Sequence, residues 1–458
     1  MQKQLLLKAL AVTLLGLLLL VPLSMIDNLI GERRARLEGV TSEIAASYAG
    51  SQRIVGPILV LPYTDEYRSL EKTEDGKDKR EVVKRESHAV YLFPETLEMD
   101  GDIATDFKRR GLFKALVFDL KSAIRGRFRV PQSLPVSPRN ATSVITFGEP
   151  YVALGIDDPR GLTAAPKLKW GGQTYGFERG ASVLAIEHPI RASVPSIEPG
   201  RAQAIEFSLD LGLRGTEWLS LVPLADDTRV SLHSSWPHPS FLGRFLPNPQ
   251  DQYTGADGFR AQWHVTSLAS HARDQLLYPK STQQCAHISC LESLDVRFIE
   301  PVNIYSQSDR AVKYGFLFVG LTFGAFLLFE ILKRLPIHPA QYLLVGLAQA
   351  IFFLLLLSLS EHIPFAIAYL AAALCSTGLL AFYLSYVLRS WRRGTAFGAL
   401  MTLLYGALYG LLVSEDNALV MGSSLLFVLL AAAMWITRNF DWYQLAPRVG
   451  TAAAQDWV

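Results

Sequence analysis

The chain is poor in cysteine, in net charge and in recognisable catalytic motifs. Three cysteines in 458 residues exclude a disulfide-dense scaffold. A formal net charge of +2 lacks the strong basic excess on which nucleic-acid binding usually rests, so no nucleic-acid partner is expected. There is no G-x-S-x-G, H-E-x-x-H, G-x-x-x-x-G-K or dinucleotide fingerprint. A missing motif does not by itself exclude an enzyme. It leaves no residue set to which a reaction or a cofactor can be assigned, and a non-enzymatic protein is the expectation.

Charge is also missing from long stretches of the chain, and that absence is the most informative one. Apolar runs cover about 312–332, 341–360, 363–388, 395–413 and 418–437. Each is near the roughly 20 residues that a helix needs to cross a bilayer core about 30 Å thick. A sixth run, Leu5 to Ile26, opens the chain. It is longer than the hydrophobic region of a signal peptide, and no small-x-small cleavage site follows Pro22, so it reads as an uncleaved anchor. With the N-terminus in the cytoplasm, the cytoplasmic segments carry Lys3, Lys8, Lys333, Arg334, Arg389, Arg392, Arg393, Arg438 and Arg448. The short outer loops carry Glu361, His362, Glu415 and Asp416, without Lys or Arg. This asymmetry puts both termini inside and residues 27–310 outside.

Beyond the anchor, Ile30, Leu37, Val40, Ile44 and Tyr48 share one helical face, which predicts an amphipathic helix over 27–50. Its arginines (Arg33, Arg34, Arg36) suit a solvated face or contact with lipid phosphates. RIVGPILVLPY then reads as a buried strand. The charged stretch 64–86 reads as a mobile hairpin tip. Alternating apolar segments, with Gly and Pro every ten residues or so, continue to about residue 310. They predict a sandwich-like β fold, whose length allows two subdomains.

Candidate sites are few. Trp236, His238 and Phe241 lie in the aromatic- and proline-rich stretch SSWPHPSFLGRFLPNP. Such a loop is a recognition surface or a plug on a sandwich core, and the second reading is favoured because large aromatics are mostly buried. The spacing of His233, His238, His264 and His271 matches no metal-ligand motif. Cys285 and Cys290 flank His287; outside the cytoplasm a disulfide is the expected pairing. Cys375, inside a span, reads as a small packing residue. Arg310, Lys313 and Tyr314 stand where a helix enters the outer interface. Glu361, His362 and Ser360, with Ser358 nearby, form the strongest candidate in the spans, since ionisable groups at membrane depth are functional candidates. Glu330 precedes Lys333 and Arg334 by three and four residues, the spacing of a helical ion pair. Gly320/Gly324, Gly394/Gly398 and Gly406/Gly410 have the four-residue spacing that lets helices approach closely. No row of buried carboxylates and no inverted repeat favours a transporter.

The stretches IGERRARLEGVTSEIAASYAGSQRIVGPILVLPY, SSWPHPSFLGRFLP…GFRAQWHV and, above all, PVNIYSQSDRAVKYGFLFVGLTFGAFLLFE with HPAQYLLVGLAQAIFFLLLLSLSEHIPFAIAYLAAA resemble the CreD (cell envelope integrity) family of bacterial inner-membrane proteins. The resemblance covers nearly the whole chain in order. It implies a Gram-negative inner-membrane protein with a large periplasmic domain, linked to envelope integrity and to a regulon tied to β-lactam response. It carries no catalytic residues, and it says nothing about Cys285 and Cys290.

The expected architecture is a membrane-bound α+β protein. An anchor (1–26) precedes a periplasmic domain (27–310, mainly β from 51). A five-helix membrane bundle (311–438) and a cytoplasmic tail (439–458) follow. The expected partners are the lipid bilayer and an envelope protein, lipid or glycan. A transporter component and an enzyme of envelope lipid or peptidoglycan are the rival readings.

Overall fold

The computed structural model describes residues 2–72, 79–187, 189–197, 200–278, 290–300, 304–333, 337–414 and 418–438. It divides into two compact units, Met1–Leu37 with Val302–Val458, and Glu38–Pro301.

The first unit is helical. Its elements are α1 (Gln2–Leu18), the first part of α2 (Leu20–Ser47), α4 (Ile304–Lys333), α5 (Pro339–Ser360), α6 (Phe365–Val387), α7 (Trp391–Val413) and α8 (Ala418–Thr437); α3 is a short helix, Ala272–Leu277, of the other unit. Among the described residues five helices are long and apolar enough to cross a membrane, one near the N-terminus and four in the C-terminal block. The sixth expected span is helical as α8, of which Val420–Ala432 is the apolar stretch found among the described residues. Large apolar side chains such as Leu354, Leu370, Leu374, Phe382 and Leu403 are exposed. On helices without a polar face, that is the surface a bilayer covers. Cys375 is exposed on α6 among them rather than packed.

The three glycine pairs behave differently. A Cβ on Gly394 would lie 2.7 Å from the Ser385 backbone, and one on Gly398 would lie 2.8 Å from Ala381 Cβ, so this pair seats α7 on α6. Gly320 and Gly324 meet nothing within 4 Å, and neither does Gly406; Gly410 meets Met421 at 3.3 Å. Sequence spacing identifies a small-residue stripe, but only the helix rotation decides what it faces.

The second unit is a β sandwich. One sheet runs β14 (Pro239–Gly243), β17 (Leu294–Phe298), β12 (Trp218–Val222), β1 (Gln52–Lys72), β6 (Tyr151–Ile156), β10 (Ile190–Ser193), β9 (Glu178–Arg179), with β2 (Lys79–Leu92) and β5 (Val144–Phe147) also paired to β1. The other runs β15 (Tyr253–Gly255), β16 (Gly258–Thr266), β13 (Asp227–Ser234), β3 (Pro94–Arg110), β4 (Phe113–Val130), β11 (Gln203–Thr216), β7 (Lys167–Trp170), β8 (Gln173–Gly176). Their inner faces share one core, with Ile54, Leu154, Leu221 and Val296 from the first sheet and Met99, Phe128, Leu211 and Trp263 from the second. A single core spans both sheets, as expected for a sandwich and without a split into two subdomains. The back of the first sheet is covered by Ala272 and Leu276 of α3, against Val55, Ile58 and Val60.

The outer face of the second sheet carries rows of charged residues in which the acids of β3 stand between bases of β4 and β13. Lys121, Asp102, His233 and Arg260 stand opposite one another in register, as do Arg125, Glu98, Arg229 and His264. Opposite charges on neighbouring strands support the pairing and keep the face soluble. The stretch 64–86 forms the expected hairpin, whose tip, 73–78, lies outside the described residues, and its described flanks are ordered strand. β1 and β2 pair without a break from Leu59↔Leu92 to Lys72↔Lys79. Cross-strand contacts hold it: Tyr67 Oη donates to Glu86 at 2.5 Å, and the Arg139 and Asn140 loop bonds to Asp65 and Arg68. Charge density hides how long the arms of such a hairpin are, because their partners lie on the facing strand.

The end of α2 is fastened within this unit. Ile44 packs on Ala115 and Val117. Asp158 accepts from Gly50 N at 3.0 Å, and Arg160 bonds back to Asp158 at 2.7 Å and to the Ala46 carbonyl. Buried Gln52 donates to the carbonyls of Asp158 and Arg214. The Arg160 guanidinium, helped by the Gly50 amide, holds the Asp158 carboxyl below the usual carboxylate range.

Two outcomes are expected. Gly398→Leu lowers the thermal stability of the detergent-solubilised chain by several degrees, through overpacking that costs roughly 1–3 kcal/mol, whereas Gly320→Leu leaves the transition unchanged. Asp158→Ala costs about 1–2 kcal/mol at neutral pH. A depressed carboxyl pKa stabilises the fold above the unfolded value of about 3.9 and ceases to do so as pH falls through the folded value. The gap between wild type and Asp158→Ala in chemical unfolding should therefore close in acid.

Candidate functional site

Glu361 caps the C-terminus of α5, with φ −71° and ψ −21°. A carboxylate is disfavoured there, because the last carbonyls of a helix carry partial negative charge. Two groups compensate. Arg33 Nε of α2 lies 3.6 Å from Glu361 Oε1, and Tyr305 Oη, in the first turn of α4, donates to the same oxygen at 3.3 Å. The Glu361 side chain is only 8 % exposed, against 36 % for Arg33. A carboxylate so enclosed needs a cation beside it, and this one brings three helices together at one end of the bundle.

The other members of the sequence candidate are not drawn in. The Ser360 hydroxyl is buried and donates to Leu357 O at 2.9 Å. His362 is exposed, with Nδ1 3.1 Å from Ser358 O. Neither shares a hydrogen bond with Glu361 among the described contacts, so no relay of carboxylate, imidazole and hydroxyl is formed. Sequence reasoning missed Arg33 and Tyr305. The only signal for Arg33 was its place in an arginine-rich helix, where a solvated face was the simpler reading. Lys313 is exposed and bonds Asp309 at 2.7 Å, one turn away; Arg310 and Tyr314 are half-buried. Glu330 accepts from Tyr342 Oη at 2.8 Å. The Lys333 and Arg334 side chains, its expected partners, lie outside the described residues.

In the β unit, Trp236 and Phe241 are half-buried against the core. Trp236 stands edge-on to Phe107 at 6.0 Å and donates from Nε1 to His238 O at 3.1 Å. Phe241 stands edge-on to Phe259 and Trp263, each at 5.7 Å. His238 is exposed. The segment thus serves mainly as a plug, and what it leaves open is Leu242 and Leu246, 40 % and 67 % exposed. His233 and His264 belong to the charged rows of the second sheet, and His271 lies 3.6 Å from Glu292. Among the described residues no three His, Cys, Asp or Glu side chains converge as metal ligands. Cys290 is exposed, and Cys285 lies outside the described residues, so the expected Cys285–Cys290 bond remains an expectation from sequence.

The sequence profile of the inner membrane protein CreD family matches residues 4–443. Inner membrane protein CreD of Escherichia coli (strain K12) is 34 % identical over 427 residues, which cover 93 % of this chain and 91 % of that protein. The chain belongs to the CreD family. This makes it a membrane protein on two independent grounds, kinship and span length. Among solved structures, an M1 zinc metallopeptidase from Deinococcus radiodurans has 10 % identity and a TM-score of 0.18, over 45 % of this chain and 42 % of that one. A two-domain M1 zinc metallopeptidase bound to L-tryptophan has 11 % identity and a TM-score of 0.19, over 45 % and 44 %. Likeness at that level bears on neither the fold nor the activity of this family member.

Glu361→Gln removes the charge that faces Arg33 but keeps an acceptor for Tyr305. Because Arg33 is partly solvated, the loss should be about 1–2 kcal/mol rather than the roughly 3–5 of a fully buried pair. Thermal unfolding in detergent checks this, and Arg33→Gln should give a similar shift, with the double variant less than additive.

Proposed function

We propose that the protein is a non-enzymatic inner-membrane protein whose β unit lies in the periplasm and binds an envelope component, in the service of envelope integrity and of the response to envelope and β-lactam stress. Both termini are cytoplasmic in this reading. The short loops support that orientation, since the two on the outer side carry no Lys or Arg while those on the inner side do. The names of the family and of its Escherichia coli member support the inner membrane as the location.

The observation that carries the binding role is the Trp236–Leu246 segment. Aromatic side chains seat it in the sandwich core, while Leu242 of the edge strand β14 and Leu246 beside it stay exposed. Apolar side chains held out on a rigid support are the usual makings of a contact surface. The partner is an envelope protein, lipid or glycan.

A photoreactive amino acid at Leu246 or His238 of the full chain, irradiated in cells, should capture a discrete envelope component. Leu246→Glu should abolish both capture and envelope function while the protein still accumulates. Capture of bulk lipid alone would refute the binding role. Loss of function in Glu361→Gln, His362→Ala, His238→Ala or His264→Ala, at normal accumulation and with capture intact, would instead favour catalysis.

A further inference from the structure

We propose that the groove between α6 and α7 holds one acyl chain of a phospholipid from the surrounding bilayer. The inference needs only the membrane location and is independent of the role proposed for the β unit. The two helices touch closely at Gly394 and Gly398. About two turns further along α7, Gly406 meets nothing within 4 Å of the place its Cβ would take. Together with Ala366 and Ala373 of α6 it opens a cavity of about 350 Å³. Leu370 and Leu374, both 60 % exposed, form its outer lip, so it opens on the surface that lipid covers.

The polar groups of the groove decide what fits it. Tyr369 Oη donates to Tyr405 O at 2.6 Å, and Ser376 and Tyr405 share a hydrogen bond at 3.2 Å. Thr377 donates to Ala373 O at 2.7 Å, and Thr402 donates to Gly398 O at 2.9 Å. The hydrogens of the Tyr369, Thr377 and Thr402 hydroxyls are engaged within the protein and the lining carries no charged side chain, so the groove favours an apolar occupant. A hydrocarbon chain asks for nothing but shape. At the open end the Tyr409 ring packs on Tyr369 at 5.1 Å, one turn before α7 ends. A tyrosine at that depth meets the headgroup level, so the lipid's head lies towards Tyr409 and its tail runs along Gly406.

The test uses the full chain in nanodiscs of phosphatidylethanolamine and phosphatidylglycerol that include phosphatidylethanolamine with a diazirine on one acyl chain. On irradiation, label should concentrate on the peptides that hold Ala373 and Gly406. Gly406→Leu fills the cavity into open space and should lower that label about fivefold, since lipid elsewhere is as apolar as the groove and only the fit is lost. Ala373→Leu, which fills it from the other helix, should do the same. Gly378→Leu adds the same side chain to an exposed position on α6 that also meets nothing within 4 Å, and should change nothing. Even labelling along α5, α6 and α7, or equal labelling in Gly406→Leu and wild type, would overturn the proposal. So would a dimer of the wild type that Gly406→Leu dissolves, because the occupant would then be a second copy.

Discussion

Inside a bilayer no water stands ready to bond a stray polar group, and the helical unit is arranged around that shortage. Thr322 turns its hydroxyl back to Phe318 O at 2.8 Å and receives the Gln349 amide at 2.5 Å. Ser360, Ser385 and Thr377 likewise bond carbonyls of their own helices. Where a helix cannot supply the partner, another does, as Tyr405 O does for Tyr369. Irregular backbone and unpaired donors are so costly in hydrocarbon that the choice of partner fixes how helices rotate about their axes. The Glu361 carboxylate obeys the same rule at the membrane edge, where its partners come from α2 and α4.

The β unit solves a different problem with the same chemistry. It has water on its outer faces, so charge can be spread across strands instead of hidden. Asp102 and Glu98 of β3 stand between bases of the neighbouring strands, and the interior is left to Phe128, Trp170 and Phe207, whose rings pack 5.0 to 5.6 Å apart. Gln52 is an exception that explains itself. It is buried because three backbone groups converge on it where α2 hands over to β1.

Much of this was legible in the sequence. A 20-residue run without charge needs no partner to be read, so the spans are apparent from composition alone. The strands between Gly and Pro punctuation are nearly as plain. What stayed hidden depends on partners far along the chain. Nothing near Glu361 announces Arg33. The spacing of Gly406 and Gly410 matches that of Gly394 and Gly398, yet the latter pair seats a helix while Gly406 leaves a gap and Gly410 meets Met421. The length of the ordered arms flanking 73–78 is hidden because charges are counted along the chain, whereas pairs such as Glu66 with Arg85 and Arg68 with Glu81 form across it. The aromatic loop was readable as a plug from the rarity of exposed tryptophan, although not that two leucines would remain outside.

β1 pairs with strands from four separate parts of the chain: β5 and β6 along one edge, and β2 together with the parallel β12 along the other. Arg53 of β1 bonds Ser220 of β12, 167 residues later. A growing chain therefore delivers its central strand long before the neighbour that completes it. Contacts so remote in sequence form slowly, and an unpaired strand edge invites the wrong partner while it waits. The emerging chain is thus most vulnerable between the appearance of Ile54 and that of Leu221, and whatever guards it from aggregation has to act in that interval.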